Sequence, residues 1–210
     1  MLNAVSNINF GSIKLFKVKL TKENALGEKK PLKGYISLLE KSDLRRLDLQ
    51  DDNWTDSYGH KTFGNDIIWD MQQRKNTPFW DDFYFIGVEC PDEPRGEKIK
   101  ALAEIITCND AVKLSLLQSK TTLDDITEKT NGAGACVIYL LTKMAQILNK
   151  NKIKLTSYND DSTSFYKKFG FEQDVKANYI MNASTIPAIQ KAIEEKYGIS
   201  PVRCKNNPVA

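Results

Sequence analysis

The segment Lys129 to Ala135, with the sequence KTNGAGA, has the composition of a loop that binds an anionic group. Gly132 and Gly134 let the backbone turn tightly and bring successive N–H groups close to a ligand without side-chain obstruction. The residues that follow predict a helix beginning near Gly134, and its unpaired amides and positive dipole end would face the same ligand. Two glycines alone also suit an ordinary turn, so the residues downstream must decide between the two interpretations.

The predicted helix after the glycines is amphipathic. One buried face is expected from the apolar residues Val137, Leu140, Leu141, Met144, Ala145 and Leu148. The opposite side is expected to carry Tyr139, Thr142, Lys143 and Gln146. In the second turn, Cys136 is interpreted as a buried packing residue rather than a reactive thiol.

A strand and a short second helix follow at fixed distances. Ile153 to Tyr158 alternates as a half-buried strand does, and Asn159 comes directly after it. A polar start at Ser162 or Thr163 then predicts a short helix that carries Phe165, Tyr166 and Phe169, closed by Gly170 and followed by Phe171.

Over residues 129–172 the chain resembles the GNAT acetyltransferase superfamily in spacing as well as composition. Members carry (Q/R)xxGx(G/A) at the start of their coenzyme-binding helix, and Lys129, Gly132 and Gly134 fall on those positions, with Lys in place of Gln or Arg. They also carry an Asn, a small residue three places on, a Tyr seven places after the Asn and a Gly-Phe pair. The matching residues here are Asn159, Ser162, Tyr166, Gly170 and Phe171.

The resemblance implies an α/β (α+β) fold with a mixed, mostly antiparallel central sheet flanked by helices. It is diffuse from about residue 83 to residue 182, and residues 1–80 and 184–210 show no family pattern. We therefore expect one GNAT-like domain over residues 1–210, with a coenzyme-binding core at about 83–182. Residues 184–210 would form an extension with an extra C-terminal helix.

The function implied by the resemblance is acetyl transfer from acetyl-CoA to a primary amine, by direct attack of the amine on the thioester, with coenzyme A as product. The acceptor would be a protein lysine or N-terminus, an aminoacyl group or a small-molecule amine. The implied coenzyme-binding residues are Leu116, Leu117, Gln118, Lys129, Thr130, Asn131, Gly132, Ala133, Gly134, Ala135, Asn159 and Tyr166.

Two residues, Leu117 and Tyr166, receive catalytic roles through the resemblance. The Leu117 N–H would stabilise the developing oxyanion, and Tyr166 would protonate the leaving thiolate, since a phenol with a pKa of about 10 can supply a proton. Asn159 would bond the pantetheine amide or merely end the strand. The general base is open, with Glu104 as a candidate because no other carboxylate lies well inside the strands nearest the thioester; its side chain could equally face solvent.

The residues before the loop predict further strands at Phe83 to Glu89, Ile99 to Thr107 and Ala111 to Leu117, the first two as an antiparallel hairpin; Val175 to Asn182 predicts another. Ile8 to Leu20 predicts a first strand with Ile13 and Leu15 facing inward and Phe10 as a further candidate. Tyr35 to Leu49 and Phe63 to Asn76 predict helices.

By the resemblance, Trp54, Tyr58 and His60 are candidate substrate contacts, with structural packing as the alternative. Phe79, Trp80, Phe83, Tyr84 and Phe85 are expected in the core.

The remaining segments keep a second function open. Ser119 to Glu128 either lengthens the preceding strand or is an insertion near the coenzyme, and Asp124, Asp125 and Glu128 would then oppose a pyrophosphate unless they turn away or meet lysines. The alternative is therefore a catalytically degenerate coenzyme-A-binding or protein-interaction module. Ile186 to Tyr197 predicts a helix, with Pro187 in its first turn and Gly198 as its stop, that packs on the domain or caps a partner; a homodimer is one such arrangement.

Composition narrows the function class. The net charge is +3, from 30 basic and 27 acidic residues, so a nucleic-acid partner is expected only if the acceptor is an aminoacyl-tRNA. No apolar run is long enough to span a bilayer and no signal peptide is recognised, which predicts a cytoplasmic protein without a membrane partner. The four scattered cysteines are expected to be reduced, and a single His60 predicts no metal site.

Overall fold

The computed structural model describes residues 12–48, 54, 58, 60–74, 83–120 and 128–202. These residues form ten strands and five α-helices. In chain order the elements are β1 (Ile13–Asn24), β2 (Lys29–Leu39), α1 (Leu44–Asp48), α2 (Phe63–Arg74), β3 (Phe83–Glu89), β4 (Ile99–Thr107), β5 (Ala111–Ser119), β6 (Glu128–Asn131), α3 (Ala133–Ile147), β7 (Lys152–Thr156), α4 (Asp160–Lys167), β8 (Glu172–Gln173), β9 (Asn178–Asn182), α5 (Ile186–Tyr197) and β10 (Ser200–Pro201).

All ten strands belong to one mixed sheet, as the resemblance implied. Its strand order is β10-β1-β2-β3-β4-β5-β7-β9-β8, and β6 pairs with β1 beside this path. Neighbouring strands are antiparallel except β5 and β7, which run parallel. The predicted hairpin of β3 and β4 is confirmed, and so is the strand that follows it.

The sheet opens between β5 and β7. In the described chain these two strands pair only over Ala111–Leu114 and Lys152–Leu155. A register shift between β4 and β5 falls at the same level, because Glu104 lies opposite Leu116 whereas Ile105 lies opposite Leu114. Ser115 is therefore the extra residue of a bulge, and bulges bend a strand away from its neighbour.

The helix after the glycines packs between the sheet and the C-terminal helix. Tyr139 and Thr142, expected on a solvated side, are buried, so that prediction was wrong. The sequence pattern of α3 could not reveal the cause, which is that α5 covers the outer side of α3: Gln190 of α5 donates a hydrogen bond to Gln146 of α3 at 2.9 Å. Burial also raises the pKa of the Cys136 thiol to about 12, in agreement with its expected packing role.

The opposite face of the sheet is covered by α1 and α2. Their apolar residues form a second core with Phe85, Ile99 and Leu102 of the sheet. Phe63–Arg74 is helical, as predicted from residue 63 onward. No helix of the described residues has the length and apolar character needed to cross a bilayer.

The N-terminal third departs from the sequence-based prediction. Tyr35 to Leu49 was expected to be helical, but Lys29–Leu39 is a strand paired on both sides, and the helix is confined to Leu44–Asp48. The first strand is Ile13–Asn24, and Ile13 is 46% exposed, whereas Val18 and Leu20 point into the core. Leu15 is partly buried against that core, as expected.

The C-terminal helix and the turn that ends it confirm the prediction. Pro187 lies in the first turn of α5, and Gly198 ends it with a left-handed φ of 53°. The chain then returns to the sheet, because β10 pairs with β1 and the Val202 N–H bonds to the Leu15 carbonyl. Phe10, Phe79, Trp80, Asp124 and Asp125, together with residues 203–210, lie outside the described residues.

Candidate active site

A cavity of about 840 Å³ lies where the sheet opens. One wall is the segment of β5 from Leu114, the last residue paired with β7, to Ser119. The wall opposite is formed by Thr156, Tyr158 and Asn159, after the end of the β5–β7 pairing. The cavity is also lined by Phe63, Asn131, Gly132, Ala133, Gly134, Ala135, Asp161, Ser162, Phe165, Tyr166, Lys168, Phe169, Lys196 and Tyr197.

The glycine bend (Asn131 to Ala135) forms the end of the cavity at the start of α3. Gly132 is the N-cap of α3 with φ at 102°, a conformation that side chains other than glycine rarely adopt. The helix begins at Ala133, so the first N–H groups of α3 have no partner within the helix and are available to an anion. The predicted anion-binding geometry is therefore built from residues 132–135.

Both glycines of the bend are in close contact with aromatic rings. A Cβ on Gly132 would lie 2.3 Å from Cε1 of Tyr197, and a Cβ on Gly134 would lie 3.0 Å from Cζ of Phe165. Tyr197 comes from α5 and Phe165 from α4. Glycine at these two positions therefore allows two helices to pack against the bend.

Lys129 and Thr130, which were predicted to bind the coenzyme, are not among the residues that line the cavity. They belong to β6, where Lys129 pairs with Glu23 and Thr130 with Lys22 of β1. The Lys129 side chain is exposed and Thr130 is buried. At the start of the same strand, the Glu128 carboxylate meets the Lys22 ammonium, which neutralises one of the acidic residues of the insertion.

Tyr166 lies in the wall of the cavity with 7% of its surface exposed. Its ring packs edge-on against Phe165 and Phe171, at centroid distances of 5.3 and 5.8 Å. Burial, with a smaller contribution from Tyr158, raises the pKa of the Tyr166 phenol to about 12. The phenol is therefore fully protonated at neutral pH, as a proton donor must be.

Asn159 has a defined structural role as the N-cap of α4. Its Oδ1 accepts a hydrogen bond from the Ser162 N–H at 2.8 Å, and Ser162 Oγ accepts one from the Asn159 N–H at 3.2 Å. This reciprocal arrangement is a capping box, and it accounts for the spacing of three residues between the two. Because Asn159 also lines the cavity, a contact to a ligand would be in addition to the cap.

The open edge of β5 brings Leu116, Leu117 and Gln118 to the cavity, as predicted. Beyond Leu114 this edge has no strand partner on the β7 side within the described chain. Main-chain N–H and C=O groups alternate along such an edge, so an extended amide-bearing ligand could continue the sheet there.

Glu104 is buried beneath this wall, with 2% of its surface exposed. It lies on the face of the sheet covered by α2 and is the cross-strand neighbour of Leu116, one strand away from the cavity. Burial is the largest cause that raises the pKa of its carboxyl, to about 7; contact with Asp70 raises it further, whereas a hydrogen bond from Ser115 and the charge of Arg74 lower it. Among the described residues its Oε2 has no hydrogen-bond partner.

The three aromatic residues suggested as substrate contacts are not in the cavity. Trp54 is fully buried in the second core, where a Cβ on Gly64 would lie 2.5 Å from its ring, so the packing interpretation holds for Trp54. Tyr58 is 80% exposed and lies beside His60 at a centroid distance of 6.0 Å. Phe63 and Tyr158 line the cavity instead, with ring centroids 5.3 Å apart.

Sequence reasoning missed the contribution of α5 to the cavity. Lys196 and Tyr197, in its last turn, line the cavity together with Lys168, which follows α4. The helical pattern of residues 186–197 predicted the element and its end at Gly198. Nothing local to that segment indicated that its last turn packs against the glycine bend, because this contact joins residues far apart in the chain.

The sequence matches no family model and no curated protein. Among solved structures the chain is similar to the AtaTR complex bound with acetyl-CoA, with a TM-score of 0.52 and 14% identity over 74% of this chain and 97% of that one. A mutant AtaT toxin bound to the C-terminus of the antitoxin AtaR and acetyl-CoA gives a TM-score of 0.50 and 13% identity over 75% and 98%. A GNAT-family acetyltransferase from Staphylococcus aureus MU50 gives 0.50 and 12% over 71% and 99%. The chain therefore has the GNAT acetyltransferase fold.

Proposed function

We propose that this GNAT-fold protein is an acetyl-CoA-dependent N-acetyltransferase that acts on a primary amine. The observation that carries the proposal is the meeting, around one cavity, of the glycine bend, the open edge of β5 and the buried phenol of Tyr166. An N-terminal helix end suits a diphosphate, an open strand edge suits a chain of amides, and a protonated phenol suits a thiolate leaving group.

The shape of the cavity fits acetyl-CoA as the donor. A Cβ at position 132 would collide with the Tyr197 ring and one at position 134 would crowd the Phe165 ring, so glycine suits both positions, and the main chain at the bend borders the cavity. Residues 132–135 would bind the diphosphate, and Leu116 to Gln118 would bind the pantetheine arm. When bound, acetyl-CoA would supply the acetyl group as a thioester.

Proton removal from the acceptor is assigned to Glu104, acting through Ser115. An ammonium must lose a proton before it can attack a carbonyl, and a carboxylate with a pKa of about 7 is an effective base near neutral pH. Ser115 lines the cavity and lies near the Glu104 carboxyl, whose pKa it lowers, so its hydroxyl could relay the proton. This route is consistent with a carboxylate that lies behind the cavity wall.

The remaining steps use Leu117 and Tyr166. The main-chain N–H of Leu117 would donate to the carbonyl oxygen as negative charge develops there. Tyr166 would transfer its phenolic proton to the sulfur as the bond between sulfur and the acyl carbon breaks. Its burial favours the neutral phenol that this transfer requires.

Two observations favour the alternative of a coenzyme-binding or interaction module without catalytic turnover. Glu104 does not itself line the cavity, and Tyr197 packs against Gly132 at the start of the anion-binding bend. A protein with this arrangement could bind coenzyme A without deprotonating an acceptor. The two functions differ in whether turnover depends on the Tyr166 phenol.

Replacing Tyr166 by Phe tests the proposal. We expect kcat for thiol release, measured with a panel of small amines, lysine peptides and aminoacyl esters, to fall about 100-fold, because general acid catalysis contributes roughly 100-fold to 10,000-fold. The dissociation constant of acetyl-CoA, measured by calorimetry, should change less than about 3-fold, since the ring and its packing are kept. Tyr158→Phe is the matched control, because Tyr158 also lines the cavity but is largely exposed.

Two outcomes would contradict the enzymatic proposal. One is acetyl-CoA binding with no turnover of any amine class by the unaltered protein, which would favour the interaction module. The other is equal turnover by the unaltered protein and Tyr166→Phe. If neither outcome is seen, acetyl mass shifts in a lysate treated with the unaltered protein would identify the acceptor class.

A further inference from the structure

The hairpin of β1 and β2 concentrates positive charge. Residues 12–39 contain seven lysines and two glutamates, which gives +5, whereas the whole chain carries only +3. The rest of the chain is therefore net negative, at −2. A modest total charge hides this local asymmetry, which is why the sequence average gave little support to a polyanionic partner.

The sheet register brings most of these lysines to one side. Lys19 is opposite Lys33, Lys17 is opposite Tyr35, and Glu23 is opposite both Lys29 and Lys129. Residues that are opposite one another in a sheet share a face, and so do residues two apart along a strand. We call this surface the lysine face; its exposed lysines are Lys14, Lys17, Lys19, Lys29, Lys33 and Lys129.

The lysines of this face are poorly neutralised. Within the described parts of the chain, no ion pair involves Lys14, Lys17, Lys19, Lys33 or Lys129, and Lys29 reaches Glu23 at 3.9 Å. Like charges placed directly opposite, as at Lys19 and Lys33, destabilise a sheet. This repulsion does not stabilise the fold, so the binding of an external anion is the simplest explanation for the lysines at these positions.

The face leads to the cavity mouth. Asn131 lines the cavity, and it pairs with Thr21 and donates to Glu23 of β1 at 3.1 Å. On the other side, the Lys19 side chain lies next to Gly198, which directly follows the cavity residues Lys196 and Tyr197. A long anion on the lysine face could therefore extend to the cavity.

We propose that the lysine face binds the phosphate backbone of a nucleic acid. Protein interfaces have an apolar core and few lysines, and membrane-binding surfaces insert apolar side chains. Neither pattern fits here, because the residues of this face are lysines with Thr21, Pro31 and the half-buried Tyr35, and Lys14 Nζ lies 4.4 Å from the centre of the Tyr35 ring. Lysine contacts to phosphate carry no sequence information, so binding should be independent of sequence.

The test measures binding by fluorescence anisotropy, with a labelled mixed-sequence RNA and a DNA of about 20 nucleotides each, at salt concentrations between roughly 50 and 200 mM. The variant combines Lys17→Gln, Lys19→Gln and Lys33→Gln, all at exposed positions. The matched control combines Lys30→Gln, Lys167→Gln and Lys191→Gln, which remove the same charge from exposed positions outside the face. Lys30 belongs to the same hairpin but points to its other side.

We expect the unaltered protein to bind both probes, and the face variant to bind at least about 10-fold more weakly at the lower salt concentration. The slope of log affinity against log salt should become shallower by about 2, because each phosphate contact to a single strand contributes about 0.7. The control should stay within about 2-fold of the unaltered protein. Arginine at positions 17, 19 and 33 should restore binding, since it keeps the charge.

The proposal is overturned if neither probe binds the unaltered protein, or if the face variant and the control lose affinity equally. It is also overturned if polyglutamate or anionic lipid vesicles compete as well as the nucleic acid does. Circular dichroism of the variants checks that a loss is not due to unfolding. Because the measurement uses no acetyl-CoA, its failure would leave the proposed acetyl transfer unaffected.

Discussion

Two carboxylates are buried on the same face of the sheet, and their surroundings differ sharply. Glu89 accepts hydrogen bonds from Ser12 at 2.7 Å, Ser37 at 3.2 Å and the Arg46 guanidinium at 2.7 Å. Glu104 has Ser115, Asp70 and Arg74 nearby, and its Oε2 has no hydrogen-bond partner in the described residues. The surroundings of Glu89 stabilise an ionised carboxylate, whereas those of Glu104 destabilise one.

This contrast separates a carboxylate that stabilises the fold from one that is a candidate for the proposed site. A buried charge without full compensation is destabilising, and strongly perturbed carboxyls beside a cavity are candidates for acid–base work. Glu89 joins β3 to α1 through Arg46, far from the cavity. Glu104 lies next to the wall through which an acceptor amine would have to be deprotonated.

The largest effect is expected from replacing each carboxylate by its amide. Glu89→Gln should lower the free energy of unfolding by about 2 kcal/mol, because it removes one of the two carboxylates that pair with the half-buried Arg46 guanidinium, the other being Asp43. Glu104→Gln should instead raise it, by up to about 3 kcal/mol at pH 8, since one pKa unit corresponds to about 1.4 kcal/mol. Urea denaturation at pH 5 and pH 8 measures both effects.

The pH dependence of the Glu104 effect follows from the direction of its pKa shift. The folded pKa, about 7, lies above the ordinary glutamate value of 4.5, so the folded state holds the proton more tightly and loses stability as pH rises between these values. The gain from Glu104→Gln should therefore be small near pH 5 and full at pH 8. If Glu104 is the base, the same variant should also lose the rise in kcat/KM near pH 7. A destabilised Glu104→Gln protein at pH 8 would remove the contrast with Glu89.

Sequence patterns anticipated the site better than they anticipated its surroundings. The bend at Gly132 and the stop at Gly198 depend on a few consecutive residues, so the sequence predicted both. The start of α4 was expected at Ser162 or Thr163, whereas Asn159 is its N-cap and the helix begins at Asp160. Residues Tyr35 to Leu39 contain good helix formers but lie between β1 and β3, and pairing with both strands overrides the local preference. Contacts between distant segments also explain two other residues that the local sequence did not describe. Tyr139 is buried because α5 covers it, and the side of the sheet on which Glu104 lies depends on the bulge at Ser115.

A second pair of residues tests whether the glycine bend is held for the cavity. Gly27 and Gly132 both have positive φ, at 78° and 102°, but a Cβ on Gly27 would meet nothing within 4 Å. Gly27→Ala should cost about 1 kcal/mol, the price of the backbone conformation alone. Gly132→Ala should cost at least about 2 kcal/mol, because the new methyl group would also displace Tyr197.

The comparison of the two glycines is completed by a double variant and by ligand binding. Adding Tyr197→Ala to Gly132→Ala should recover the part of the loss that is due to the collision, as measured by thermal unfolding. Acetyl-CoA should bind Gly132→Ala more weakly and Gly27→Ala normally. Equal losses in stability for the two glycine variants would mean that the contact with Tyr197 does not constrain the bend.

The smallest effect is expected at Asn159, where the roles in the fold and in the site coincide. Asn159→Ala removes the cap of α4 and should lower the free energy of unfolding by about 1 kcal/mol. Asn159→Asp keeps an oxygen that can accept the Ser162 N–H, so its stability should be nearly unchanged, but it loses the amide donor. If Asn159 only caps the helix, the KM for acetyl-CoA should be unchanged in both variants under conditions where each is folded. If it also binds the pantetheine arm, KM should rise several-fold in both, which would show that one side chain serves the helix and the ligand together.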